Sequence, residues 1–406
     1  MSNNSNGMKF EMRTNVRFLS IVTQMGLHGG KSQAFMLIGN PGTGKTEGLK
    51  SIALEIEKRL GKKFTAEVWS APQIQAEDLA GLPFPDIASG TTRLLPLRVG
   101  MTILNDKDNK HKWGLVAFDE AGSISPAQEA ALLNFVHGGK LGELELPESI
   151  SRGCMMNPEE VASNGRSLSP PAANRFAWID WEPDFSSWYD FMTKGKGFES
   201  NVEILPSDWE ESNLQFAKSL IAQYLKRHQS ALFKMPQAHN ASCAWASPRS
   251  WTNSARCLAA VLSVKEKPTS DLAFLSIYSN VGEGAREFMK WVTDMDLPDP
   301  EELLANPAEG KKLLDKVAAK NRMDQLTVVL ESLAASAIQD HKKFQERWKA
   351  ASELIFPIFI EKNDVGLPAA YTLVQVLSKV DQKNFPKDAT KIQEIMKKSG
   401  IIPGGR

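Results

Sequence analysis

The sequence predicts an α/β fold: a parallel sheet with helices on both faces in the first half of the chain, and helices alone in the second. Three observations predict it. Short apolar runs, each the length of a buried strand, alternate with helical or loop-rich stretches up to about residue 181. The first of these runs passes through a glycine-rich turn directly into an amphipathic helix. From Ser207 onward the strand signal is weak while helical periodicity persists.

Taken in order, the polar stretch 1–7 reads as a disordered start, and 34–38 (AFMLI) as a strand buried on both faces. A helix over 45–60 follows, because Leu49, Ile52, Ala53, Ile56 and Leu60 form one stripe at helical spacing. Further strands are expected over 64–70, 114–118, 152–156 and 176–181. Residues 81–112 mix Pro, Gly, Thr and charge without a helical period, which predicts loops with a short projecting hairpin. The stretch 182–206 has two prolines, several aromatics and a GKG, and reads as a connection leaving the sheet domain. Helices are expected over 207–228, opening on Ser207, Asp208 and an acidic first turn, and over 248–262 and 271–278. A Leu-Pro-Asp-Pro break at 297–300 precedes a further helical region, where Leu326, Val329, Leu330, Leu333 and Ala337 make a single stripe. The expected division is an α/β domain over 1–184, a helical domain over 185–295 and a helical C-terminal region over 296–406.

Composition bounds the partners. A chain of 406 residues can bury its own cores without disulfides or a structural metal. Lys plus Arg (48) balance Asp plus Glu (48), so bulk charge predicts no polyanion partner. The three cysteines, Cys154, Cys243 and Cys257, are far apart and fit reduced thiols in a cytoplasmic compartment. With no secretory h-region and no apolar stretch of about 18 residues, neither secretion nor membrane insertion is expected.

The chemistry concentrates at strand ends. Gly39, Asn40, Pro41, Gly42, Thr43, Gly44, Lys45 and Thr46 match GxxxxGK[ST] between a buried strand and an amphipathic helix, the context that this phosphate-binding motif needs. The glycines let backbone N–H groups turn toward phosphate, the helix N-terminus adds partial positive charge, Lys45 reaches the β- and γ-phosphates of ATP, and the Thr46 hydroxyl ligates Mg²⁺. The apolar run at 115–118 ends in Asp119 and Glu120, at the sheet edge where ligands bind. Asp119 is suited to the Mg²⁺ shell and Glu120 to polarising the attacking water. Another strand ends at Asn157, which either orients that water or simply opens the Asn-Pro turn. Arg175 and Arg249, taken alone, read equally as a salt-bridged surface residue and a first-turn helix residue. The tryptophans crowding 178–251 read mainly as packing residues, the six histidines as surface or packing groups, and the glycines around 282–284 as unrelated to phosphate.

The order of motifs, namely the P-loop, the Asp119-Glu120 strand, the Asn157 strand end, the Asn174-Arg175-Phe176 sequence and then Ser247-Pro248-Arg249, resembles the MoxR-like branch of the AAA+ ATPases over about residues 10 to 295. The segment Glu77-Asp78-Leu79-Ala80-Gly81-Leu82-Pro83 resembles the one this branch carries before its inserted hairpin. The resemblance implies a P-loop AAA+ domain with a five-stranded parallel sheet, an α-helical lid, and assembly into a homo-oligomeric ring, commonly a hexamer. It further implies that Asn157 is the sensor 1 residue, Arg175 the arginine finger entering the next subunit's site, and Arg249 the sensor 2 residue. Whether Arg249 serves its own nucleotide or its neighbour's is not decided by the sequence. The function implied is ATP-driven remodelling or activation of a protein partner, often a von Willebrand factor A domain protein. A different reading, a nucleic-acid-directed motor or a subunit of a restriction or defence complex, needs a basic pore loop. The loop candidates hold only Arg93, Arg98 and scattered lysines against Asp86, Asp106 and Asp108. A nucleotide-gated scaffold with negligible hydrolysis is disfavoured by the intact Glu120.

Overall fold

The computed structural model describes residues 8–95, 98–161, 168–195, 197, 199–236, 243–320, 322–339 and 342–385, so the stretch 1–7 lies outside the described residues. The chain forms two compact units, Met1–Ser207 with Ser230–Arg286, and Asp208–Gln229 with Glu287–Arg406.

The first unit begins with α1 (Met12–Gln24), β1 (Phe35–Ile38), α2 (Lys45–Leu60), β2 (Thr65–Ser70) and α3 (Ala76–Ala80). It continues through the hairpin β3 (Leu82–Asp86) and β4 (Thr91–Leu95), then α4 (Met101–Asn105), β5 (Gly114–Asp119) and α5 (Pro126–Gly138). A two-residue hairpin, β6 (Lys140–Leu141) and β7 (Leu144–Glu145), leads to β8 (Ile150–Met156), α6 (Pro170–Ala173), β9 (Ala177–Asp180) and α7 (Phe185–Lys194). After α8 (Trp209–Arg227), which belongs to the second unit, α9 (Pro248–Ser263) and α10 (Asp271–Val281) return to the first.

The five strands pair in the order β2-β5-β8-β1-β9, all parallel. This is a five-stranded parallel α/β sheet in which the glycine-rich segment 39–46 follows β1. Leu115, Val116, Ala117 and Phe118 are fully buried, which is why the central strands read as continuous apolar runs rather than as alternation. On one face Met36, Val116, Phe118, Cys154 and Met156 pack with Leu132, Phe135 and Val136 of α5. That helix has both ends specified: Ser125 and Gln128 form a capping box, Pro126 follows the cap, and Gly139 closes it in the left-handed conformation. Two stretches expected to be loop or connection hold helices. The expected loop region 81–112 holds the helix α4 besides its hairpin, and the expected connection 182–206 holds the ten-residue α7. Asp184 caps α7 by accepting from the Ser187 N–H, and Gly195 ends it in the left-handed conformation, signals that the surrounding Pro and Gly obscured.

The second unit is helical. It takes α8, most of α11 (Gly284–Asp294), then α12 (Pro300–Ala305), α13 (Pro307–Ala319), α14 (Met323–Gln339), α15 (Phe344–Glu361) and α16 (Asn363–Gln375). At its centre α14 is buried on every side from Leu326 to Ile338, with α8, α15 and α16 packed around it. The region 185–295 is therefore divided between the two units, α8 packing with the C-terminal helices and α9 and α10 with the sheet. Among the described residues no helix is long and apolar enough to cross a membrane.

Candidate functional site

Every strand of the main sheet runs the same way, so all carboxyl ends lie on one edge. β1 is flanked by β8 and β9, and at its carboxyl end the chain turns through Gly42 (φ 77°) and Gly44 (φ 79°) into α2. No atom lies within 4 Å of a Cβ added at either glycine, so the requirement there is the left-handed backbone itself. Elsewhere the loop is fixed by packing. Trp181, fully buried just past β9, donates its indole N–H to the Thr43 carbonyl at 3.0 Å.

Lys45 is buried at the first position of α2, and its Nζ donates to the Gly39 carbonyl (2.7 Å), the Asn40 carbonyl (3.0 Å) and Asn157 Oδ1 (2.9 Å). Burial lowers its pKa from the ordinary lysine value, opposed by the charge of Asp119. Asn157, the first residue past β8, is thus brought to the P-loop lysine from the neighbouring strand. Next to it, Thr46 Oγ1 donates to Asp119 Oδ2 at 2.6 Å. A hydroxyl and a carboxylate oxygen side by side form a hard-oxygen pair suited to Mg²⁺, with water completing the shell. Glu120 follows with φ 59°, a left-handed conformation uncommon for a residue other than glycine, and its N–H donates to Asp119 Oδ1. That conformation turns the Glu120 side chain out of the strand and leaves the residue exposed.

The two arginines are elsewhere. Arg175 precedes β9, in which Ala177 is in register with Phe35, the first residue of β1. At about 3.3 Å per residue, its backbone lies roughly 15 Å along the strand direction from the edge where the P-loop leaves β1. Arg175 and Arg249 line one cavity of about 370 Å³ together with Lys31, His137, Arg152 and Arg256. The positive charge there is concentrated: burial and then the charge of Arg249 lower the pKa of Arg175. Burial and the charges of Arg175, Arg152 and Arg249 push His137 down to about 3, so its imidazole is neutral at physiological pH. Arg152, nearly fully buried, bonds to Ser32 Oγ (2.6 Å) and Glu148 Oε2 (3.2 Å). Burial opposes ionisation of Glu148, but hydrogen bonds from Ser32 and the charges of Arg152 and Lys31 hold its pKa below the ordinary value.

Sequence reasoning missed the residues that connect these parts. Asn174 Oδ1 accepts from Ser247 Oγ (2.7 Å) while its Nδ2 donates to the Trp245 carbonyl (2.8 Å). It therefore ties the end of α6 to the N-cap of α9. Glu129 of α5 accepts from the Ser169 hydroxyl at 3.0 Å, fixing the start of α6. Asn174 sits inside a motif noticed for its arginine, whereas Glu129 left no signal at all.

No protein-family model matches the sequence, and no curated protein matches it. Among solved structures the chain is similar to a candidate ATPase from Cytophaga hutchinsonii, at 17% identity and a TM-score of 0.35, over 68% of this chain and 78% of that one. It is also similar to a full-length MCM homologue from Methanopyrus kandleri, at 12% identity and a TM-score of 0.33, over 69% of this chain and 54% of that one. The chain thus spans about half the length of the MCM homologue.

Proposed function

We propose that this chain is an AAA+ ATPase whose catalytic unit is the interface between two copies. One observation carries the reading: Lys45, Thr46, Asp119 and Asn157 converge at the carboxyl edge of the sheet, whereas Arg175 and Arg249 share a cavity at the amino edge. In this reading the P-loop N–H groups and Lys45 bind the triphosphate, and Asn157, already bonded to Lys45, senses the γ-phosphate and positions the attacking water. Glu120 polarises that water. Thr46 and Asp119 would hold Mg²⁺, which supplies charge neutralisation between the β- and γ-phosphates. Arg175 and Arg249 both act in trans, on the nucleotide of the neighbouring copy, because they line one cavity and neither faces its own P-loop. Such an assembly is head-to-tail and closes as a ring, with six copies the expected number.

The work done by the cycle is remodelling or activation of a protein partner, a von Willebrand factor A domain protein being the family's usual one. The hairpin supports a polypeptide over a nucleic acid. It exposes Leu82, Phe84, Ile87, Leu94 and Leu95, and its Arg93 faces Glu143 at 3.4 Å. Phosphate backbones are met by surplus cations, and the one cation of residues 82–95, Arg93, is paired.

Purified chain should hydrolyse ATP with Mg²⁺. Glu120→Gln should bind ATP with turnover at least ~100-fold lower, and Arg175→Ala should keep ATP binding while losing about three to five orders of magnitude in rate. Mixed together, the two variants should regain activity, because one kind of mixed interface unites an intact P-loop with intact arginines. Absence of ATP binding at millimolar concentration overturns the reading, and failure of the mixture to recover overturns its trans component.

A further inference from the structure

α7 is a formed helix that, among the described residues, buries no side chain of its own. Five large apolar side chains stand open: Phe185 (74% exposed), Trp188 (53%), Tyr189 (51%), Phe191 (57%) and Met192 (62%). Ten residues are too few to hold a helix in water by backbone bonds alone, yet this one is capped at both ends and its rings gather, Phe185 lying 6.0 Å from Trp188 and 5.9 Å from Tyr189. At roughly 200 Å² for a large side chain, the open fraction amounts to about 600 Å², most of the ~800 Å² per partner of a stable protein interface. A lipid surface is a poor match, since the one basic residue of the helix, Lys194, pairs with Asp190 at 2.7 Å.

The position of α7 points to its occupant. Its cap, Asp184, comes three residues after Trp181, whose indole bonds the P-loop, so α7 starts beside the residue that fixes that half of the site. A second open apolar patch flanks the arginines. Leu232, Phe233 and Met235 are 40%, 57% and 58% exposed, and the Phe233 ring lies 5.6 Å from Trp245. Trp245 in turn donates its indole N–H to the Pro170 carbonyl at the start of α6. One apolar patch therefore accompanies each half of the composite site, and the two differ, as a head-to-tail contact requires.

We propose that the α7 face of one copy docks on the Leu232, Phe233 and Met235 patch of the next, so that burying α7 and delivering Arg175 and Arg249 are one event. This rests on the trans reading of the arginines. The test uses full-length chain carrying Glu120→Gln, which retains ATP, with assembly followed by analytical ultracentrifugation. Adding Trp188→Glu or Phe233→Glu should leave ATP affinity unchanged and each chain monomeric. A 1:1 mixture of the two should form dimers and stop there, because only one intact pair of surfaces remains. The milder pair Phe185→Ser with Met192→Ser should weaken assembly at least tenfold. A Trp188→Glu chain that assembles like its parent overturns the docking. So does a mixture that stays monomeric, and so does a Phe233→Glu chain that dimerises on its own, which would mean that α7 packs on α7. Loss of ATP binding, or of complementation between Arg175→Ala and Glu120→Gln, overturns the underlying reading instead.

Discussion

Trp181 meets the P-loop segment in more than its hydrogen bond to Thr43. A Cβ added at Gly48, one turn into α2, would lie 2.2 Å from its ring. Alanine at an exposed helix position stabilises by about 1 kcal/mol over glycine, but overpacking a buried ring costs about 1–3 kcal/mol, so the clash wins. Gly48→Ala should lower Tm and weaken ATP binding several-fold as the indole is pushed off the Thr43 carbonyl; an unchanged affinity in a nucleotide titration would refute this. The P-loop itself was legible because its motif is local. Trp181 was not, because it meets the loop across 138 residues of sequence and leaves only a glycine inside a helical stripe as its trace. Glu331 was hidden for another reason. It falls off the apolar stripe of α14 and so reads as solvent-facing, but α14 has no solvent face there and the carboxyl is buried. Burial raises its pKa from the ordinary 4.5 to about 8, and neither of its carboxylate oxygens meets a hydrogen-bond donor among the described residues. The folded chain keeps this proton where the unfolded chain has lost it. Its contribution to stability is therefore full below about pH 4.5 and declines as the pH rises to about 8. Glu331→Gln should remove that decline, raising stability at pH 7.5 by on the order of 3 kcal/mol while changing little at pH 4.5, as read from denaturant melts at the two values.

Asn174 makes α6 and α9 a single lever. Its amide spans Ser247 and the Trp245 carbonyl, so the arginine after α6 and the arginine in the first turn of α9 are set relative to each other by one buried side chain. Asn174→Ala should bind ATP normally and cut kcat by at least ~30-fold, with KM changed less than threefold, given how steeply rate depends on ångström-level placement. Mixed with Glu120→Gln it should recover activity as Arg175→Ala does. A general folding defect would damage both halves of the site and would not complement. The elements themselves were legible where amphipathic period, cap and loop agreed: α2 spans 45–60 as expected, and α9 opens on its Ser247-Pro248 cap. α7 escaped because an open apolar face inside a Pro- and Gly-rich stretch gives no contrast between a buried and a solvated side.

On the proposed reading, the whole chain carries two halves of a catalytic site that its own fold keeps apart. The strand order is responsible, since Asn157 and the P-loop leave carboxyl ends while Arg175 enters at an amino end. The motif order implied a finger working in trans; that Arg249 lines one cavity with Arg175 was not legible in the sequence. The number of units was harder to read, because helical stripes mark faces without naming what they face. α8 shows this. It packs against α14, more than a hundred residues downstream, its Tyr224 ring meets Phe288 and Trp291 of α11, and Arg227 pairs with Asp324 at 2.8 Å. The first unit is consequently not a contiguous stretch of gene. A fragment ending at Arg286 keeps α8 but loses every helix that shields it, leaving an apolar face that invites aggregation. To move this sheet unit into another protein, a genetic engineer must excise 208–229 as well and join the chain across the gap.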